Sequence, residues 1–215
     1  PSVPIEGMDR TLGSRLVWLD DPVCRPCWSD IGHEPPDILF SGGYFVPAFR
    51  ALVRDARGTS NTVLMADNNW TGSFRQRFLD PLRHRLLIAS GFDAVWVPGR
   101  SGRNWADRMG YAKERIFEGL YGCDPAIFHG GSRLGSRRAE FLFVGQFIER
   151  KQVVQLAEAF IRAAGPDSGW TLRLCGSGEL LDSLPRHPSI TVSGFLQPPV
   201  LAEALRDSRC LVLPS

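Results

Sequence analysis

Short apolar runs recur along this chain, each too brief for a helix and each closing on a turn residue. In the first half they are Leu16 to Leu19, Asp37 to Phe40, Thr62 to Met65 and Asp93 to Val97. Segments of helical length lie between them. Phe45 to Ala56 places Phe49, Leu52 and Val53 on one face, and Phe78 to Ala89 does the same with Leu82, Leu86 and Ala89. A helical crossover is the connection that brings successive strands in side by side and parallel, so the alternation predicts the α/β class.

A second series follows residues 131 to 138, GSRLGSRR, whose Gly, Ser and Arg content reads as an exposed connection between domains at 1–130 and 139–215. Strands are expected at Phe141 to Val144, Thr171 to Leu174, Ile190 to Val192 and Cys210 to Leu213. Between the first two, Val153, Leu156, Ala157, Phe160, Ile161 and Ala164 form one apolar stripe that Gly165 stops. Pro199 suits the first turn of a helix reaching about Arg206.

Composition narrows the class. With 43% hydrophobic and 22% charged residues the chain is ordinary for a globular protein, which sets disorder and fibres aside. No run approaches the roughly 18 apolar residues of a membrane span, and Pro1 to Arg10 lack the layout of a signal peptide, so a cytoplasmic location is the expectation. A net charge of +2 gives no broad field for nucleic acid. Nearly all the positive charge is Arg; Lys occurs only at Lys113 and Lys151. Five scattered cysteines argue for a reducing compartment, and Cys24-x-x-Cys27, with Pro22 before it, Pro26 inside it and only His33 nearby, reads as structural. Beginning at Pro1, the chain is expected to be a trimmed or partial protein.

In open parallel sheets ligands bind beyond the carboxyl ends of the strands. In the second half those ends read Gly145-Gln146-Phe147-Ile148-Glu149-Arg150-Lys151, then Cys175-Gly176-Ser177-Gly178-Glu179, then Ser193-Gly194-Phe195-Leu196. A diphosphate needs closely approaching backbone N–H groups and nearby cations. Gly145, Gly176 and Gly178 are placed to supply the first, Arg150 and Lys151 the second. One such loop would be a tight turn and nothing more; three adjacent ones favour phosphate binding.

FLFVGQFIERKQVVQLAEAF, LRLCGSGELLDSL and ITVSGFLQPPVLAEALRDSRCLVLPS resemble, in order and spacing, the nucleotide-binding domain of retaining glycosyltransferases of family 4, which have the GT-B fold of two Rossmann-like domains. DILFSGGYFVPAF, NTVLMADNNWTG and FDAVWVPGRSGRNWADRMGYAKERIFEGLYGCDPAIF are similar to that family's acceptor domain. The resemblance implies two Rossmann-like parallel-sheet domains, both incomplete in this chain. It implies that Lys151 with Arg150 neutralises the donor diphosphate, and that Gly145, Gln146, Gly176, Gly178 and Glu179 line the nucleotide pocket. Phe195 or Leu196 would sit beside the base, Asp67 would fall near the acceptor-side catalytic position, and Tyr44, Asn68 and Trp70 would face the acceptor. Implied partners are a nucleotide-sugar donor and a carbohydrate or lipid-linked acceptor, with no nucleic acid; no cofactor and no metal are expected, and the sequence contains no D-x-D.

Departures accompany the resemblance. Gln146 stands where the family commonly has Arg, Gln152 where Gly usually follows the lysine, and the paired glutamates would lie beyond Ser215. This chain alone is therefore expected not to transfer sugar. A nucleotide-sugar epimerase of GT-B shape, and a non-catalytic nucleotide- or partner-binding remnant, are the alternatives. Residues 74–88 set Arg75, Arg77, Arg83, His84 and Arg85 among Phe78, Leu79, Leu82, Leu86 and Leu87. That run suits either an anionic lipid surface at the inner membrane face or a packed helix with solvated arginines, and packing is preferred because it explains most amphipathic helices.

Overall fold

A computed structural model describes residues 17, 25–87, 91–130, 134–164 and 168–215. They fall into two compact units that divide between Gly122 and Cys123, upstream of the connection read from composition. Arg206 shows why 123–130 go with the second unit: its guanidinium donates to the Ile127 carbonyl at 3.2 Å and lies 3.4 Å from His129 Nε2. The expected strand at Leu16 to Leu19, Cys24, the stop at Gly165 and residues 131–133 of the connection lie wholly or mostly outside the described residues, as does Ala89.

The first unit is a parallel sheet of β1 (Ile38–Ser41), β2 (Asn61–Met65), β3 (Ala94–Val97) and β4 (Ile116–Glu118), in that order. Leu64, Val95, Val97, Trp105, Met109 and Ile116 form its core. Helix α1 (Pro47–Asp55) begins at its proline because Val46, preceding it, is held extended. Its buried stripe is Ala48, Ala51 and Val53 rather than Phe49, Leu52 and Val53, and Phe49 is exposed. Small residues on that face let the helix axis approach the sheet. Where one continuous helix is expected from Phe78, the chain makes a π-helical turn over Arg75–Leu79 and then α2 (Asp80–Leu87). Pro81 lacks the N–H that a continuous helix would need there. Phe74, Phe78, Leu79 and Leu82 are 58–72% exposed, which overturns the packed-face expectation for these positions. Helix α3 (Arg100–Met109) completes the unit. No helix among the described residues is long and apolar enough to cross a membrane.

The second unit is a parallel sheet of β5 (Arg138–Val144), β6 (Thr171–Cys175), β7 (Ile190–Gly194) and β8 (Ser208–Leu211), ordered β7-β6-β5-β8. Helix α4 (Val153–Ala163) buries Val153, Ala157 and Phe160 against Phe143, Leu172 and Leu174. On the opposite face of the sheet, Ala204 of α5 (Pro198–Asp207) packs with Leu142 and Cys175. Alternate residues of β5 thus feed two cores, as a strand covered on both sides requires. Phe141 stacks on Trp170 with ring centroids 4.6 Å apart and closes the far end.

Candidate functional site

In the order β7-β6-β5-β8 the chain leaves β5 toward β6 and later returns to β8 on the other flank of β5. That reversal opens a crevice at the carboxyl ends, where the loops part in opposite directions. The loops after β5, β6 and β7 converge at the same end of the sheet on one cleft of about 840 Å³. Gly145, Gln146, Gly176, Gly178, Glu179, Phe195 and Leu196 all line it. Segments far apart in the chain are therefore brought to one place by strand pairing alone.

Two glycines are required by how tightly these loops cross. A Cβ on Gly176, at φ +147°, would lie 1.8 Å from the Gly145 carbonyl oxygen, and one on Gly178, at φ +158°, would lie 2.5 Å from the Phe147 carbonyl oxygen. The crossing also consumes amides. Gly145 N–H donates to the Cys175 carbonyl at 3.0 Å, Gly176 N–H to the Gly194 carbonyl at 2.7 Å, and Phe147 N–H to the Ser177 carbonyl at 2.8 Å. This corrects the expectation that Gly145 and Gly176 hold amides free for phosphate. The amides of Gln146, Ser177, Gly178 and Glu179 make no hydrogen bond among the described residues, and they are the ones left for a ligand. Cys175 forms one wall, and burial pushes its thiol pKa up, with the Arg173 charge only partly opposing, so the wall is a neutral thiol.

Lys151 and Arg150 lie on a short 3-10 turn, Glu149–Lys151, ahead of α4 and not in its first turn. Lys151 Nζ donates to Ser215 Oγ at 3.4 Å, so a side chain following β5 meets one following β8 across the reversal point. Neither cation lines the cleft wall. Between turn and helix Gln152 takes a left-handed conformation, φ 51° and ψ 34°, the one positive-φ residue other than glycine among those described. It provides no side-chain cap, so the amino end of α4 keeps its first N–H groups open beside Lys151.

The acceptor-side candidates separate. Tyr44, after β1, and Asn68, after β2, line a second cavity of about 320 Å³ within the first unit. Trp70 instead packs on that unit's core, with the Arg108 guanidinium 4.5 Å above its ring. Asp67 is exposed and outside the cavity. His84 and Trp105 also line it; the sequence marks His84 only as one member of a basic run and does not mark Trp105. The available signal was a histidine set among leucines, which by periodicity alone is indistinguishable from a solvated one. No group of three or more His, Cys, Asp or Glu among the described residues is arranged to hold a metal ion.

No family model and no curated protein matches the chain. Among solved structures, HepE of Anabaena in complex with UDP and glucose is similar with TM-score 0.58 at 12% identity, covering 83% of this chain and 52% of that one. The pneumococcal O-GlcNAc transferase GtfA in complex with UDP and GlcNAc gives 0.60 at 12% identity, covering 79% and 36%. A putative UDP-N-acetylglucosamine 2-epimerase from Listeria monocytogenes gives 0.51 at 14% identity, covering 82% and 51%. This chain spans between 36% and 52% of the length of these proteins. The likeness shows the fold: an α/β chain of two Rossmann-like parallel-sheet units of the GT-B kind.

Proposed function

We propose that this chain is part of a nucleotide-sugar glycosyltransferase and that its second unit binds the donor's nucleoside diphosphate. The observation that carries the reading is the convergence of three strand-end loops on one cleft at the carboxyl ends of a parallel sheet, with Lys151 on the turn that follows the first of them. The fold likeness to proteins solved with UDP supports it. In this reading the free amides of Ser177 and Gly178 and the amino end of α4 face the phosphate oxygens. Lys151, with Arg150 behind it, neutralises charge that grows as the diphosphate departs. Phe195 and Leu196 offer the base an apolar seat, and Glu179 a carboxylate for the ribose. Cations and helix termini stand where a metal would otherwise act, and Gln146 contributes an uncharged amide where Arg is common in the family. Retention in the manner of family 4 would follow from attack on the face the diphosphate leaves, with Asp67, Tyr44 and Asn68 on the acceptor side. A carbohydrate or lipid-linked acceptor and a cytoplasmic setting belong to the same proposal.

A thermal-shift titration with UDP tests the reading on this chain. Ligand at about one hundred times its Kd should raise stability by roughly 2.7 kcal/mol. Lys151→Ala should weaken UDP about 10- to 100-fold, the worth of one charge-assisted contact. No response to any nucleoside diphosphate would refute the donor site. The epimerase similarity favours one second reading, in which the sugar is isomerised and retained. Turnover of a nucleotide-sugar with no acceptor present would select it.

A further inference from the structure

The outer edge of the second unit's sheet takes no part in the donor-site reading. β7 ends the order β7-β6-β5-β8, so one side of Ile190–Gly194 pairs with β6 and the other pairs with nothing among the described residues. Leu172 N–H donates to the Ser189 carbonyl at 2.9 Å, and Leu172 stands opposite Ile190. Bonding residues alternate along a parallel ladder, so Ser189, Thr191 and Ser193 turn their backbone groups to β6 while Ile190 and Val192 turn theirs outward. The His187 carbonyl takes the Ile190 N–H, which leaves both the N–H and the C=O of Val192 open. End strands are ordinarily guarded against further pairing by a charge or a proline. Ile190–Gly194 has neither, and Thr191 and Val192 are exposed.

Beside this edge the segment returning from β6 to β7 forms a groove of about 380 Å³, whose lining includes Leu181 and Val192, 45% and 43% exposed. Its charges are ordered along the strand. Asp182 lies on the 3-10 turn Leu181–Ser183, which is tied to the carboxyl end of the sheet: Leu180 N–H donates to the Phe147 carbonyl at 3.0 Å and Leu181 N–H to the Gly178 carbonyl at 3.2 Å. Arg186 lies toward the amino end, next to His187, whose carbonyl holds the first amide of β7. Pro185 and Pro188 stiffen the chain there. Asp182 and Arg186 are both exposed, and neither enters an ion pair among the described residues. A groove negative at the carboxyl end of its strand and positive at the amino end is complementary to itself turned end for end. A two-fold axis through Val192, perpendicular to the sheet, makes that turn. It lays β7 antiparallel to the β7 of a second copy and sets each Val192 N–H against the other's C=O. It also brings Asp182 of each copy to Arg186 of the other. A parallel neighbour would set like charges together.

We propose that the β7 edge is a self-complementary interaction surface that binds a second copy of this chain, through strand pairing at Val192 and reciprocal Asp182–Arg186 pairs. The proposal does not depend on the donor site. Sedimentation equilibrium from micromolar to millimolar concentration should show monomer and dimer in exchange. Asp182→Arg and Arg186→Asp should each raise the dimer Kd at least about tenfold, because each makes both reciprocal pairs repulsive. An equimolar mixture of the two variants should dimerise again, since Arg at 182 and Arg186 of one then face Asp at 186 and Asp182 of the other. Val192→Pro removes the outward N–H without taking a bond from β6, and it should also raise the Kd at least about tenfold. The mixture changes only exposed charges, so it decides the matter even where Val192→Pro fails to fold. A parent that stays monomeric throughout, a mixture that stays as dissociated as its two components, or a folded Val192→Pro with the parent's Kd would overturn the proposal.

Discussion

Replacing Gly176 by alanine tests whether the nucleotide loops are held by their close crossing. The new methyl would stand 1.8 Å from the Gly145 carbonyl oxygen and 2.9 Å from its carbon, backbone atoms that no side-chain rotation can move aside. Relief requires parting the loops. That strains or breaks the Gly176-to-Gly194 and Gly145-to-Cys175 hydrogen bonds, each worth about 1 kcal/mol. The backbone at φ +147° adds about 1–3 kcal/mol for a residue with a Cβ. A stiffer unfolded chain returns about 0.4–1 kcal/mol, leaving a net loss of about 3 kcal/mol. Gly194→Ala is the control. It also sits at a strand end with positive φ, +67°, yet no atom lies within 4 Å of its Cβ position. It should lose only about 1 kcal/mol, the left-handed cost less the same return. In a unit of this size each kcal/mol is about 4–8 °C, so circular dichroism melts should fall by more than about 10 °C for the first variant and by only a few degrees for the second. Equal losses would refute the crossing account, because backbone strain is common to both and the clash is not.

Further outcomes are expected. Gln152→Gly should stabilise by about 0.5 kcal/mol, since it removes a left-handed penalty of about 1–2 kcal/mol and restores part of it as chain entropy; a lower urea midpoint would contradict the φ of 51°. Burial holds the folded pKa of His84 near 4 against an ordinary 6.5, so the unfolded chain binds the extra proton between those values. Stability should be full above pH 6.5 and fall by up to about 3 kcal/mol toward pH 4, and the slope should be absent in His84→Phe. The exposed Phe74, Phe78, Leu79 and Leu82 beside Arg75 and Arg77 should sediment with anionic vesicles and not with neutral ones, and Phe78→Ser with Arg77→Glu should abolish the pelleting. Equal recovery with both vesicle types would leave that face without a lipid role.

The order of elements was legible in the sequence because periodicity is local information. A run such as Phe141 to Val144, followed by Gly145 and an apolar stripe from Val153, carries its own strand, turn and helix, and the rule that ligands meet strand ends then points to the loops that converge on the cleft. What an amide or a ring is bonded to is not local. Gly176 must be glycine because a loop from another strand lies under it, and the amides of Gly145 and Gly176 are consumed by carbonyls distant in the chain. The left-handed turn at Gln152 is not marked by its own side chain; only the Gly usual at that place in the resembled family points to it. The helical pattern around Leu82 suggested a packed face, yet Pro81 restarts the helix after a π turn and leaves that side chain in solvent. His84 reads as one more polar residue in a basic run until Trp105 and Tyr111, from later elements, close around it. Local spacing determined which segments are strands and helices; only their pairing in space decided which polar groups remain free to bind.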